Sequence, residues 1–437
     1  MQYGGYRVEE MLDLSGWLCD FTSNVDQGCE AFGSSENEDT MKAMIVGMAL
    51  CVTTVCAATY SHDVNVAEEF RARDGLPNFF AKLKAGEPVR IAYLGGSITA
   101  AAGWRPKTLA WFKAQYPKAD VIEINPAISG TGSDYSACRL QGDVLVQKPD
   151  LVFLECRVNG GGGYEAKSVE GVVRHIWKDN PKTDICFVYT LHQGMVKDLQ
   201  AGKTPWFGPI QERIANAYGI PTIDLGVEIA QREKAGSLIF KGNDPVAGKL
   251  VFSKDGVHPG DEGHAIYCDI IVRSMLKMAA TGTAQPHALP VPLEAANWET
   301  ASLLPVTNAV LSAGWTQVAT EKDGVYADDR GRTHAMLRGA VKCDRAGATI
   351  SVKWNGTTVG MSDIPYGEPC VVEAVVDGGK PITVQRVQTE KVHKYARFWY
   401  LPEQAPGEHT VVFTVKQIPQ GEWFYAGQLL IVGTPSK

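Results

Sequence analysis

From Val89 to Ala279 the chain alternates short apolar runs with amphipathic stretches of helical period. The runs "VRIAYLGG" (89–96), "ADVIEINPA" (119–127), "PDLVFLECRVN" (149–159), "TDICFVYTLH" (183–192) and "IPTIDLG" (220–226) read as strands, each a brief apolar block closed by a turn-forming residue. Between and after them, "KTLAWFKAQYP" (107–117), "YSACRLQGDVLVQK" (135–148), "VEGVVRHIWKDNP" (169–181), "IQERIANAYG" (210–219) and "GDEGHAIYCDIIVRSMLKMA" (260–279) read as helices. Strands alternating with helices predict a parallel sheet covered on both faces: a three-layer α/β domain over residues 59–283.

The pattern then changes. "TGTAQPHALPVP" (281–292) combines small residues with prolines and sets a linker over residues 284–295. Beyond it, "RTHAMLRGAV", "ATISVKWNG", "PCVVEAVVDGG", "ARFWYLP", "EHTVVFTVKQI" and "WFYAGQLLIVG" are β-rich runs split by turn pairs such as Asn355-Gly356 and Asp377-Gly378. They predict a jelly-roll-like all-β sandwich over 296–437, with no helix inside it. Its aromatics Trp354, Tyr366, Trp399, Tyr400, Trp423 and Tyr425 are candidate sugar platforms, or core.

Residues 1–40 are acidic and polar without clear period, and "MKAMIVGMALCVTTVCAATYS" follows from Met41. One lysine, an apolar core from Ala43 to Val55 and the small pair Ala57-Ala58 have the order of a secretory signal peptide. The expectation is a start at Met41 behind an extension of 40 residues, a signal over 41–58, and a secreted or periplasmic product. The 437 residues are 45% hydrophobic and 21% charged with net charge −7, an ordinary globular composition. There is no Lys/Arg run of nucleic-acid type and no 20-residue apolar span, so neither a nucleic-acid partner nor a membrane span in the mature form is expected. Of the ten cysteines, six follow the leader, and none has zinc spacing. Cys343 and Cys370 share the β-rich domain and are candidates for a disulfide in an oxidising compartment.

In open α/β sheets functional groups gather beyond the carboxyl ends of the strands. Ser97 follows the first strand, Ser129-Gly130 the second, Asn159 the third, and His192 the fourth. Asp255 and His258 precede the last helix. Taken alone, Ser97 reads as a turn residue, a helix cap or a nucleophile, the cap foremost. Together the blocks "GGSIT", "NPAISGTGS", "LECRVNG" and "DGVHP" resemble those of the SGNH (GDSL-type) hydrolase superfamily, in its bacterial carbohydrate-esterase branch. The resemblance covers the α/β domain, roughly half the chain, and implies a flavodoxin-like fold. It implies Ser97 as nucleophile, His258 as base, Asp255 as the carboxylate that orients it, and an oxyanion hole from Ser97, Gly130 and Asn159.

Two positions depart from the family pattern. Gly96 stands in place of the aspartate of Gly-Asp-Ser-Leu, and Gly160 stands where Asn-Asp is usual. Trp104, Arg105, Arg139 and His192 are candidate substrate-side residues, while His264 reads as structural. The small Ala100–Ala102 suit a short acyl group. The expectation is thus a serine esterase that removes O-acetyl groups from carbohydrate without cofactor or metal. Its partner would be an acetylated oligosaccharide, polysaccharide or glycoprotein glycan. Xylan, pectin, mannan and acetylated sialic acid stay open as substrates, as does the oligomeric state. A lipid esterase or thioesterase, and a glycan-binding protein without activity, are the alternatives.

Overall fold

A computed structural model of the chain describes residues 60–243, 248–319, 323–326, 331–388 and 395–436. The expected leader, residues 41–58, lies outside the described residues. Strands β1 (Phe70–Arg71), β2 (Val89–Leu94), β3 (Val121–Ile124), β4 (Leu151–Leu154), β5 (Asp184–Tyr189) and β6 (Thr222–Asp224) form one sheet in the order β1-β6-β5-β4-β2-β3. All pairs are parallel except that of the short edge strand β1 with β6. The runs β4 and β5 are buried at every position, as strands covered on both faces must be. Neighbouring strands β2 and β4 lead to opposite ends of the sheet, so the chain reverses direction across them. In open α/β sheets such a reversal marks where a crevice forms at the carboxyl ends of the strands.

The covering helices are α1 (Pro77–Ala85), α2 (Ser97–Ala100), α3 (Trp104–Gln115), α4 (Ser133–Asp143), α5 (Glu165–Asp179), α6 (Val196–Gln200), α7 (Gly208–Tyr218), α8 (Leu225–Lys234) and α9 (Asp261–Met278). A two-stranded parallel pair, β7 (Leu238–Lys241) with β8 (Leu250–Ser253), precedes α9. Of these, β1, α1, α2, α6, α8, β7 and β8 are additions to the alternation read from sequence. All are short or lie where apolar periodicity is weak.

The second lobe is all-antiparallel. Strands β9 (Ala301–Pro305), β10 (Val310–Leu311), β11 (Thr316–Gln317), β12 (Val341–Cys343), β13 (Thr349–Asp363), β14 (Cys370–Val376), β15 (Ile382–Arg386), β16 (Arg397–Tyr400), β17 (Gly407–Gln417) and β18 (Phe424–Ser436) are linked in one hydrogen-bonded network. Strand β13 is shared: residues 349–356 pair with β17, and residues from 353 onward pair with β18. One expectation is corrected here. "RTHAM", read as strand, is a single helical turn, α10 (Arg332–Met336). It starts at Gly331, whose φ of 86° breaks any strand entering it.

Both lobes belong to one compact unit. The linker is fastened along α5 instead of hanging free. The Leu293 and Glu294 N–H groups donate to the Glu170 carboxylate at 2.6 and 2.7 Å, and His287 stacks on Trp177 at 4.5 Å. Aromatic rings close the seam between the lobes: Tyr135 stacks on Phe398 at 4.8 Å, and Tyr164 and Trp298 both pack on Tyr400. The expected Cys343–Cys370 disulfide does not form. Both are free, buried thiols that hydrogen-bond backbone carbonyls of Arg345 and Gln417, and burial pushes them up to about 11 and about 12.

Candidate active site

The turn after β2 is Gly95-Gly96, and Ser97 opens the short helix α2. Neither glycine has room for a side chain. A Cβ on Gly95 would stand 2.9 Å from Glu155 Oε2, and one on Gly96 would stand 2.0 Å from Asn159 Oδ1. An aspartate at position 96 would meet the Asn159 amide, which occupies that space. Beneath the turn, Glu155 is fully buried and accepts from the Gly96 N–H (3.3 Å), Thr99 Oγ1 (2.8 Å) and Thr190 Oγ1 (2.7 Å). Burial raises its pKa, against those hydrogen bonds and the charge of Arg157. Sequence reasoning quoted this block without singling Glu155 out.

The other half of the site arrives on the loop between β8 and α9. The Asp255 Oδ1 accepts from the N–H groups of Val257 and His258, both at 2.8 Å, and from the Ser253 hydroxyl at 3.0 Å. Its Oδ2 lies 2.6 Å from His258 Nδ1, and His258 Nε2 lies 2.7 Å from Ser97 Oγ. A carboxylate only accepts, so Nδ1 carries the proton and Nε2 is left to accept from the serine hydroxyl. Burial opposes ionisation of Asp255, but the hydrogen bonds from His258, Val257 and Ser253 outweigh it and hold the carboxyl well below its ordinary range. A hydroxyl, an imidazole and a carboxylate in this chain can draw the proton from the serine as its oxygen attacks an electrophile.

Gly130 sits in a turn with φ of 68°, a conformation that glycine adopts without steric cost. Its loop is tied to the Ser97 turn by the Ile128 N–H, which donates to the Gly95 carbonyl at 3.0 Å, and to the Asn159 loop by the Ser133 N–H, which donates to the Gly160 carbonyl at 2.8 Å. Among the described residues, the Gly130 N–H and the Asn159 side-chain amide donate to no protein acceptor. From the β lobe, Arg332 reaches across: its Nη1 donates to the Ser129 carbonyl at 2.7 Å and its Nε to the Ala396 carbonyl at 2.7 Å. The guanidinium is buried, lies over the Tyr395 ring, and has its pKa pulled down to about 10 by burial and by the neighbouring Arg397, which leaves it a cation at neutral pH. Arg332 falls in the stretch misread as strand, and its contact spans 203 residues, so no local signal marks it.

No family model and no curated protein sequence matches the chain. Two solved structures align with it over most of their length. One is a two-domain esterase active on acetylated mannans, co-crystallised with mannopentaose, at 20% identity over 86% of this chain and 98% of that chain, with a TM-score of 0.67. The other is the same kind of two-domain esterase without that ligand, at 21% identity and the same coverages, with a TM-score of 0.68. The chain shares this two-domain fold.

The remaining candidates fall in different places. His192 follows β5. Its Nδ1 accepts from the Gly194 N–H at 3.0 Å, and the next residue, Gln193, donates its N–H to the Gly256 carbonyl at 2.8 Å beside Asp255. Three other substrate-side candidates are buried in the folded chain. Trp104 is fully buried against Tyr93 and Phe153, Arg105 is buried in a pair with Glu123, and Arg139 is buried on the Pro126 carbonyl and Asp143. His264 accepts from the Trp104 N–H at 3.2 Å, a structural position. Of the six β-lobe aromatics, Trp354, Tyr366, Trp399 and Tyr425 are buried, Tyr400 lies in the seam, and Trp423 is half-buried with the Lys342 ammonium 4.7 Å from its ring centroid.

Proposed function

We propose that the protein is an exported serine esterase of the SGNH type that removes O-acetyl groups from carbohydrate. The observation that carries the reading is the hydrogen-bonded chain from Ser97 through His258 to Asp255, joining groups 161 residues apart. In the proposed reaction Ser97 Oγ attacks the acetyl carbonyl while its proton passes to His258 Nε2. Asp255 holds the ring and stabilises the imidazolium. The carbonyl oxygen, now negative, accepts from the N–H groups of Ser97 and Gly130 and from the Asn159 amide. Such a donor contributes about 3 kcal/mol to the transition state. Collapse breaks the ester C–O bond, the sugar hydroxyl leaves with the proton from His258, and Ser97 stays acetylated. Water then attacks the acetyl-serine with the same imidazole as base, which yields acetate and the free serine.

The likeness in fold to an esterase active on acetylated mannans makes acetylated mannan the first substrate to try. Export is supported by the leader-like stretch from Met41. The test is acetate release from a panel of acetylated mannan, xylan, pectin and sialic acid, with Ser97→Ala as control. Release by the wild type and none by the variant is expected. Rates that climb with acyl length on a p-nitrophenyl ester series would instead select a lipid esterase.

A further inference from the structure

The segment "KTPWFGP" (203–209) connects α6 to α7 and holds two adjacent aromatic residues in opposite environments. Phe207 is 1% exposed, whereas Trp206 is 60% exposed. Among the described residues Trp206 is the only exposed phenylalanine, tyrosine or tryptophan. Its backbone has φ of 41°, the left-handed region that a bulky side chain rarely enters. The segment is not loose: the Thr204 N–H donates to the Asn65 carbonyl at 2.8 Å, and the Gly208 N–H donates to the Pro205 carbonyl at 2.9 Å. The chain thus spends backbone strain to hold its largest apolar side chain in water, the reverse of what folding alone selects.

Its location gives that expense a purpose. The Trp206 Cη2 lies 2.9 Å from where a Cβ on Gly160 would stand, so the indole edge rests directly on Gly160. Gly160 follows Asn159, and the Asn159 amide packs against Gly96 beside Ser97. The exposed ring therefore stands at the lip of the crevice, on the side of the Asn159 loop. A pyranose ring offers a face of C–H groups with hydroxyls around its edge. Such a face matches a rigid indole that keeps its apolar surface toward solvent.

We propose that Trp206 is a sugar-binding platform, on which one pyranose ring of the acetylated glycan stacks while the acetyl ester of the same chain faces Ser97. The proposal rests on the esterase reading above. It assigns glycan binding to the α/β lobe, where the sequence had pointed to the aromatics of the β lobe.

The experiment uses the full chain with Trp206→Ala and Trp206→Phe. On acetylated manno- and xylo-oligosaccharides, Trp206→Ala should raise KM by about tenfold, equivalent to about 1.4 kcal/mol, and Trp206→Phe should recover part of it. On p-nitrophenyl acetate, which has no sugar to stack, kcat/KM should stay within about twofold of wild type. The Ala variant should keep a cooperative melt, because most of the indole is exposed and what is lost is its contact with Gly160. Calorimetric titration of the same oligosaccharides into Ser97→Ala and into Ser97→Ala/Trp206→Ala separates the two readings. Weaker binding to the double variant supports the platform whether or not the protein hydrolyses esters, and equal binding, or none to either, overturns it. A wild type inert on p-nitrophenyl acetate and on every acetylated glycan overturns the esterase reading itself.

Discussion

Replacing Arg332 by methionine tests whether the β lobe takes part in the chemistry. The Ser129 carbonyl that accepts from Arg332 Nη1 at 2.7 Å belongs to the same peptide unit as the Gly130 N–H, on the opposite side of a trans plane. A cation on the oxygen polarises that peptide and makes its N–H a stronger donor. Adding one peptide width and one further hydrogen bond to the contact puts the guanidinium roughly 8 Å from the oxygen that becomes negative. At an effective dielectric constant of about 20, two unit charges at that separation interact by about 2 kcal/mol. If the charge exists only in the transition state, its loss lowers kcat by about thirtyfold. The assay is steady-state hydrolysis of p-nitrophenyl acetate. The expected signature is a fall in kcat with KM changed by less than about threefold. Arg332→Lys should regain part of the rate, since it restores the charge without the planar fork. Methionine also leaves the Ser129 carbonyl short of a partner, so a melting curve must accompany the rates. A methionine variant that folds fully and keeps kcat within about twofold refutes the reasoning, because even a solvent-like dielectric predicts about that much.

Three further outcomes are expected. Ser97→Ala should cut acetyl-ester turnover by at least about a thousandfold with an unchanged circular dichroism spectrum, and residual activity above that level would remove Ser97 from the nucleophile role. Gly96→Asp should lower kcat by about a hundredfold by displacing Asn159 from a contact that leaves 2.0 Å for a Cβ; wild-type rates in that variant would show that the Asn159 position does not matter. His264 should titrate near pH 4 in the folded protein, because burial, with the charges of Lys107 and His258 and against that of Asp261, disfavours its cation. The unfolded chain then binds the extra proton between about pH 6.5 and pH 4, so this group's contribution to stability is complete above pH 6.5 and fades as the pH falls. Nitrogen-15 titration of the histidine rings checks the value, and a pKa near 6.5 would refute the burial argument.

The parallel sheet was legible because each of its central strands is a continuous apolar block, such as "LVFL" in β4, and because the intervening helices are long enough to show their period. The Ser97, Asp255 and His258 arrangement was legible because each residue lies next to a strand end or helix start that the pattern itself marks. What stayed hidden has two physical causes. A one-turn helix such as α10 is too short to display a period, so Arg332 went into a strand reading. Burial on both faces erases alternation. In the second half of β13 every residue from Thr358 to Asp363 is buried, and such a run cannot say which face of the strand meets solvent. Trp206 left only one trace, an aromatic pair between prolines in a segment without period.

The placement of supports suggests a division of labour between the lobes. The proposed proton-transfer chain stands on the α/β lobe alone: Ser97 on the β2 turn above Glu155, and Asp255 and His258 on a loop fixed by Ser253 and Gln193. The loops that carry the proposed oxyanion donors are held from the other side. Arg332 grips the carbonyl just before Gly130, and the helix that begins at Ser133 is packed through Tyr135 onto Phe398. The Asn159 loop runs on through Gly163 to Tyr164, which packs on Tyr400 and Trp298. Donors aimed at developing charge are effective to the extent that they need no reorganisation when it appears. A β lobe locked onto both loops supplies that rigidity, which gives a physical reason why the two lobes share a seam of stacked rings and a strapped linker instead of a flexible tether.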